Sequence, residues 1–160
     1  FEIIKKKTAS LISSCTACGA RAADASQETI DQFHAFGEKV GLAFQIKDDL
    51  LDYQHSTKIG KPTGNDIREK KVTLPLIYAL RNADEKSRKQ IKKAFGKKSK
   101  SKKEVQFIVD FARKHNGIRD AEEKMHTLKN EALEIIKPFS NNGAKTGLID
   151  LVNFTVERNK

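Results

Sequence analysis

The spacing of apolar residues restricts the fold of this chain more than any other feature. Apolar side chains recur every three or four residues along nearly its whole length, as in Ile3, Ile4, Leu11 and Ile12, which is the period of one face of an α-helix. No segment alternates apolar and polar residues as a half-buried strand does. The sequence therefore predicts an all-α protein, a bundle of roughly seven helices.

Capping residues, glycines and prolines divide the helical pattern into segments. Asp84 is a candidate N-cap, and Ser101 with Glu104 has the spacing of a capping box. The length of 160 residues is typical of one domain, so we expect residues 1–160 to form a single domain. The predicted helices cover residues 1–25, 27–53, 72–83, 84–95, 101–116, 118–137 and 148–159.

The sequence contains neither an apolar run long enough to predict a transmembrane helix nor a signal-peptide pattern. It therefore predicts no integral membrane segment and a cytoplasmic location.

The net charge of +10 is concentrated in one stretch, since ten basic residues and no acidic one lie between Lys86 and Lys103. A nucleic acid or an anionic membrane surface could bind such a stretch. Because aromatic residues for base stacking are not interleaved with these charges, we expect a solvated helix end and loop, and no nucleic-acid partner.

Cys15 and Cys18 form a C-x-x-C pair within a segment of small residues. Such a pair can be half of a zinc site or a redox pair, but the sequence has no second cysteine pair. We expect two reduced cysteines packed on one helical face, in a segment whose small residues allow a close approach between helices.

Three aspartates, Asp48, Asp49 and Asp52, lie at the end of the second predicted helix. A helical wheel at about 100° per residue places them in one stripe with Gln45 and places Lys47 on the other side. The flanking residues are apolar, so we expect the stripe to face the interior. Repulsion between Asp48 and Asp52 costs about 0.2–0.5 kcal/mol even in solvent, and each anion at a helix C-terminus costs a further ~0.3–1 kcal/mol.

A hard divalent cation would relieve this repulsion, and Mg²⁺ typically combines one or two carboxylates with phosphate oxygens. Lys58, Lys61 and Lys71 follow the aspartates, with glycines between them that allow backbone to approach a ligand. The pattern predicts a magnesium–diphosphate site. The alternative is a solvated acidic helix end paired with the lysines of the next loop.

The segments "GLAFQIKDDLLD" and "IGKPTGNDIREKKVTLPLIYAL" resemble the second aspartate-rich region of trans-isoprenyl diphosphate synthases, also called polyprenyl synthetases. "KKKTASLISSCTACGA" resembles the Lys-Thr helix of these enzymes, and "LIDLVNFTVERNK" resembles the last helix of bacterial medium- and long-chain (octaprenyl-type) members. The resemblance implies the C-terminal part of the isoprenoid synthase fold and a Mg²⁺-dependent prenyltransferase. Such an enzyme condenses isopentenyl diphosphate with an allylic diphosphate to make a longer trans-polyprenyl diphosphate.

The resemblance also implies a role for each matching residue. Asp48 would be the principal metal ligand, with Asp49 and Asp52 as direct or water-mediated ligands. The substrate-facing residues would be Lys7, Lys61 and Lys71 on the allylic diphosphate, Thr8 and Gln45 beside the carbocation, Phe44 near the isopentenyl group, Lys58 in the substrate-binding loop and Asp66 as the residue that orients this loop.

The family carries a further aspartate-rich motif, whereas D-D-x-x-D occurs once in this sequence, at Asp48. We therefore expect a C-terminal portion of the enzyme that is inactive alone and self-associates, as a homodimer or larger, through the apolar faces left open. The alternative is a non-catalytic diphosphate-binding subunit that acts through a partner chain.

Overall fold

A computed structural model of the chain describes residues 1–54 and 64–158. These residues form helices and turns, with no β-strand among them, which confirms the all-α prediction. A π-helical turn at Lys5–Ala9 joins the first two helices. The α-helices are α1 (Glu2–Ile4), α2 (Ser10–Ala22), α3 (Gln27–Leu51), α4 (Asn65–Arg68), α5 (Leu74–Asn82), α6 (Glu85–Gly96), α7 (Lys102–Lys114), α8 (Gly117–Ile136) and α9 (Gly143–Glu157).

The described residues divide into two compact units. Residues 1–47 and 124–158 form the first unit, and residues 48–123 form the second. This division does not test the single-domain prediction, because one domain can contain two compact units. That prediction therefore stays a prediction.

Small residues bring α2 and α3 together in the first unit. A Cβ added at Gly41 in α3 would lie 2.5 Å from the Cα of Ala9, the N-cap residue of α2, a distance that a side chain larger than glycine's does not allow. The hydroxyl of Ser13 donates to the carbonyl of His34 at 2.8 Å. The close helix–helix approach expected from this segment is therefore confirmed.

Each unit has its own hydrophobic core. In the first unit, Phe33 and Phe139 meet edge to face with their ring centroids 5.2 Å apart. One cluster of buried residues in this unit contains Phe36, Val40, Ala132, Ile136 and Val152. The buried core of the second unit consists of Tyr53, Ile67, Leu76, Ala79, Ala83, Ile91, Val105, Ile108, Val109, Phe111 and Ala112.

The cysteine prediction is half right. Cys15 and Cys18 are free thiols, as expected, but both are exposed. The expectation that they pack on a helical face was wrong, because Gly41, Ala9 and Ser13 provide the contact between α2 and α3.

The predicted caps at α6 and α7 are confirmed. The Asp84 carboxylate accepts the backbone N–H of Ser87 at 2.9 Å. At α7, Ser101 and Glu104 each accept the other's backbone N–H, forming the complete capping box.

Three features of the helix pattern were not predicted, and the π-helical turn at Lys5–Ala9 is the first of them. Helix α9 begins at Gly143, ahead of the predicted start at residue 148, because the Asn142 side chain accepts the Lys145 N–H at 2.9 Å and caps the helix there. Helix α4 lies between the predicted helices 27–53 and 72–83, where the sequence predicted no helix. Among the described residues, no helix has the length and apolar character needed to cross a membrane.

Candidate metal and diphosphate site

The acidic end of α3 lies in the second unit. Asp49 is buried with 6% of its surface exposed, whereas Asp48 and Asp52 are half-buried. Helix α3 ends at Leu51, so Asp52 stands in the turn that follows. The inward orientation expected for the aspartates therefore applies most strongly to Asp49.

Asp52 connects the end of α3 to the start of α4. Its two carboxylate oxygens accept the backbone N–H groups of Asn65 at 2.9 Å and Asp66 at 3.1 Å. Its carbonyl oxygen accepts the N–H of Gly64 at 3.0 Å. Burial raises the pKa of Asp52, and the hydrogen bonds from Asn65 and Asp66 oppose that rise. The carboxylate thus fixes the backbone that follows the undescribed residues 55–63.

Gly64 occupies a position that only glycine fits. Its φ of 79° lies in the left-handed region, which disfavours residues with a side chain. A Cβ added there would lie 2.2 Å from Cγ1 of Val105. This close packing against α7 positions α4 within the second unit.

Lys71 is held by two carboxylates of the same segment. Its Nζ lies 3.2 Å from Oδ1 of Asp66 and 2.6 Å from Oε2 of Glu69. Hydrogen bonds to Glu69 and then to Asp66 raise the pKa of Lys71, so the lysine stays charged. Lys70, which lies between Glu69 and Lys71 in sequence, has a φ of 59°, in the left-handed region that few residues with a side chain adopt.

Tyr53 is buried beside the acidic end of α3, and the sequence predicted no role for it. It is 1% exposed, and its hydroxyl lies 3.0 Å from the hydroxyl of Thr73. Burial raises the pKa of Tyr53, and the charges of Asp52, Asp49 and Asp66 act in the same direction. The hydrogen bond between Tyr53 and Thr73 joins residues 20 positions apart, and local sequence patterns do not reveal it.

Within the described residues, no group of three carboxylate, histidine or cysteine side chains is arranged to hold a metal ion by itself. Both oxygens of Asp52 accept backbone N–H groups, so each oxygen already has a hydrogen-bond partner. The donor set nevertheless suits Mg²⁺, which commonly takes one or two carboxylates and completes its shell with waters and phosphate oxygens. Asp48 and Asp49 can provide such ligands.

Four further predicted site residues lie in the first unit. Lys7 is exposed on the π-helical turn, and such turns are frequent at functional sites. The Thr8 hydroxyl donates to Oε1 of Gln45 at 2.9 Å. The structure thus brings Thr8 and Gln45 together, as expected of two residues that act on one group.

Phe44 has a partner that the sequence did not predict. The guanidinium carbon of Arg158 lies 4.1 Å from the centroid of the Phe44 ring, within the range of a cation–π contact. Nη2 of Arg158 donates to the carbonyl of Phe44 at 3.5 Å. The two residues are 114 positions apart, so no local pattern could have linked them. Lys58 and Lys61 lie outside the described residues.

Comparison with known proteins agrees with the fold. Residues 1–112 match the model of the polyprenyl synthetase family. The chain is 34% identical over 155 residues to a probable hexaprenyl pyrophosphate synthase, mitochondrial, of Neurospora crassa, a match that covers 96% of this chain and 33% of that protein.

Solved structures of prenyl synthases also match this chain. A decaprenyl diphosphate synthase from Rhodobacter capsulatus matches with a TM-score of 0.89 and 31% identity, covering 99% of this chain and 49% of that one. A polyprenyl synthase from Caulobacter crescentus CB15, complexed with calcium and isoprenyl diphosphate, matches with a TM-score of 0.89 and 28% identity, over 99% of this chain and 49% of that one. This chain thus spans about a third to a half of the length of these relatives, and by sequence and by fold it belongs to the polyprenyl synthetase family.

Proposed function

We propose that this chain provides the metal- and diphosphate-binding part of a trans-polyprenyl diphosphate synthase. The whole enzyme would condense isopentenyl diphosphate with an allylic diphosphate. One observation carries the proposal: the hydrogen bonds of Asp52 tie the acidic end of α3 to the segment that contains Asp66 and Lys71. A cation-binding group and an anion-binding group are thereby held in one compact unit.

In this proposal Asp48 and Asp49 bind Mg²⁺ directly, and Asp52 acts mainly by positioning residues 64–66. Bound Mg²⁺ would neutralise the charge that develops on the departing diphosphate. Burial of Asp49 strengthens its attraction to a cation, because little water competes for it.

The lysines bind the diphosphate oxygens. Lys71 would exchange its contact with Glu69 for contacts with the phosphates, while its contact with Asp66 keeps its ammonium oriented. We assign the same role to Lys7 and Lys61 and a supporting one to Lys58. Several ammonium groups around one diphosphate provide preorganised stabilisation of the leaving group.

Thr8 and Gln45 stabilise the allylic cation through their oxygen atoms. The 2.9 Å hydrogen bond from Thr8 fixes the orientation of the Gln45 amide, so that the second lone pair of its carbonyl oxygen is preorganised for positive charge. Phe44 would line the pocket near the isopentenyl group, and its ring is held in place by Arg158.

Calorimetric titration of the chain with farnesyl diphosphate, an allylic diphosphate, tests the binding part of this proposal. We expect binding with Mg²⁺ and at least ten-fold weaker binding with EDTA. Asp48→Asn should weaken the Mg²⁺-dependent binding at least ten-fold, whereas Asp110→Asn, on an exposed part of α7, should leave it unchanged. Equal affinity with and without Mg²⁺, or an equal effect of the two variants, would contradict the proposal.

We also propose that the 160 residues do not turn over substrate alone, since their sequence contains one D-D-x-x-D motif and the family uses two. Incubation with isopentenyl diphosphate, farnesyl diphosphate and Mg²⁺ should yield no longer prenyl product. Product formation at a rate that falls in the Asp48→Asn variant would refute this. The alternative of a non-catalytic subunit stays a prediction.

Self-association is a further proposal. It is supported by large apolar side chains that the described residues leave exposed on α1, α2 and α9, including Ile3 (80% exposed), Leu11 (67%) and Phe154 (66%). Analytical ultracentrifugation should show a dimer or larger species, and a monomer at micromolar concentration would rule this out. Cytoplasmic location stays a prediction, and the name of the Neurospora relative places that protein in mitochondria.

A further inference from the structure

The basic stretch from Lys86 to Lys103 forms an exposed surface in the second unit. Nine of its ten cationic residues are exposed, and Lys100 alone is buried. The exposed residues of this surface, called here the basic surface, are Lys86, Arg88, Lys89, Lys92, Lys93, Lys97, Lys98, Lys102 and Lys103.

The way α6 packs produces this concentration of charge. Ile91 is 1% exposed and fixes the inner side of the helix against the core. Lys86, Lys89 and Lys93 follow at intervals of three and four residues, which places them on one face. That face lies on the side of α6 opposite Ile91, so it points away from the core of the unit.

Few carboxylates neutralise the basic surface. Glu85 pairs with Lys89 at 2.8 Å, and Glu104 pairs with Lys97. No carboxylate of the described residues pairs with Lys86, Lys92 or Lys93. The positive charges of these three lysines are therefore not neutralised by a nearby anion. Such a field attracts anionic partners and weakens with added salt.

We propose that the basic surface docks on anionic phospholipid membranes. The surface is made of lysines, apart from Arg88, whose Nε donates to the carbonyl of Ala83. Lysine carries a compact point charge and lacks the forked geometry that suits arginine to bidentate recognition of phosphate. A diffuse field of lysines matches a diffuse anionic surface, where each cation adds to the attraction without a defined contact.

The composition of the surface disfavours other anionic partners. None of the exposed large apolar residues of the described chain lies between residues 86 and 103, so the surface lacks the aromatic platform that single-stranded nucleic acids stack on. It also lacks an apolar anchor of the kind that dominates protein–protein interfaces.

Docking would suit a chain of this family, because relatives named hexaprenyl and solanesyl synthases make diphosphates with long apolar tails. The proposal does not depend on the proposed catalytic role, because no residue of the basic surface belongs to the candidate site. Failure of one can therefore be distinguished from failure of the other.

Co-sedimentation with lipid vesicles tests the proposal. The full chain should bind vesicles of phosphatidylcholine with phosphatidylglycerol, and not vesicles of phosphatidylcholine alone. Binding should fall at least ten-fold when NaCl rises from about 0.05 to about 0.5 M, because the Debye length shortens about three-fold.

A matched pair of triple variants separates local charge from net charge. Lys86→Glu, Lys92→Glu and Lys93→Glu together should weaken vesicle binding at least ten-fold. Lys6→Glu, Lys114→Glu and Lys137→Glu together change the net charge equally, at exposed positions outside the basic surface, and should retain binding. Circular dichroism of both variants verifies that they are folded.

Three outcomes would overturn the proposal. One is equal binding to neutral and anionic vesicles, and another is an equal loss of binding in both triple variants. The third is tighter binding to a 20-base-pair DNA duplex than to anionic vesicles at the same salt concentration, which would assign the surface to nucleic acid.

Discussion

Asp52 shows how one side chain can hold the backbone of the candidate site in place. The family resemblance implies that it is a direct or water-mediated metal ligand. In the structure its two oxygens accept the N–H groups of Asn65 and Asp66. Helix periodicity places Asp52 beside Asp48 and Asp49 but carries no information about a hydrogen bond across 13 residues.

Removing the Asp52 carboxylate should therefore destabilise the second unit. Asp52→Ala leaves the N–H groups of Asn65 and Asp66 without acceptors, and we expect the free energy of unfolding to fall by about 1–3 kcal/mol. Asp52→Asn keeps one acceptor oxygen and should have an intermediate effect. Urea unfolding followed by circular dichroism measures this. Asp110→Ala, at an exposed residue of α7, is the control, and an equal effect of Asp52→Ala and Asp110→Ala would contradict the positioning role.

Sequence patterns also did not predict two other side-chain contacts. Tyr53 with Thr73 and Phe44 with Arg158 join positions 20 and 114 residues apart. In contrast, Thr8 and Gln45 were predicted to act on the same group, and they do share a hydrogen bond. The prediction came from the family resemblance, since tertiary contacts of this kind leave no periodic signal.

At the scale of helices, local patterns were informative where the stabilising contact is itself local. Asp84 and the pair Ser101–Glu104 cap their helices as expected because a capping side chain reaches only three residues ahead. The π-helical turn at Lys5–Ala9 and the short helix α4 were not expected. The carboxylate of Asp52 caps α4 from outside the segment.

The caps of α6 and α7 predict a loss of stability in acid. Hydrogen bonds from the Ser87 side chain and backbone lower the pKa of Asp84 to about 2. The hydrogen bond from Lys97, followed by those from Ser101, lowers the pKa of Glu104 to about 2. A depressed carboxylate pKa stabilises the fold above the ordinary pKa of about 4, and that contribution is lost as pH falls from about 4 to about 2.

Urea unfolding between pH 5 and pH 2 tests this expectation. Asp84→Asn combined with Glu104→Gln should lower stability at pH 5 and reduce its dependence on pH below about 4. An unchanged slope in the double variant would show that other groups cause the acid dependence.

Contact between α2 and α3 gives a second prediction at this scale. A Cβ at Gly41 would meet the backbone of Ala9, which cannot move aside as a flexible side chain can. Gly41→Ala should therefore lower the free energy of unfolding by about 1–3 kcal/mol. Gly19→Ala in α2, with no atom within 4 Å of the added Cβ, should raise it by up to about 1 kcal/mol. Thermal unfolding of the two variants measures both effects. Changes of the same sign in the free energy of unfolding would contradict the close approach between α2 and α3.

At the scale of the whole molecule, the fold class was predictable because an amphipathic period of three to four residues repeats from Ile3 to the last helix. The family was predictable because the aspartates, the glycines and Lys71 occur in one characteristic order. The division into two compact units was not predictable from the sequence. It depends on which helix faces meet, and many apolar faces are chemically alike. The cysteines show the same limit, because Cys15 and Cys18 look like core residues in sequence and are exposed.

Coupling between metal and diphosphate tests the central proposal most directly. Mn²⁺ in place of Mg²⁺ allows metal binding to be followed by electron paramagnetic resonance, with and without farnesyl diphosphate. If Asp48 and Asp49 share a cation with the diphosphate that Lys71 binds, each ligand should strengthen binding of the other at least five-fold. Asp48→Asn should abolish that coupling. Mn²⁺ binding that is unaffected by the diphosphate, or coupling that survives in Asp48→Asn, would contradict a shared metal–diphosphate site.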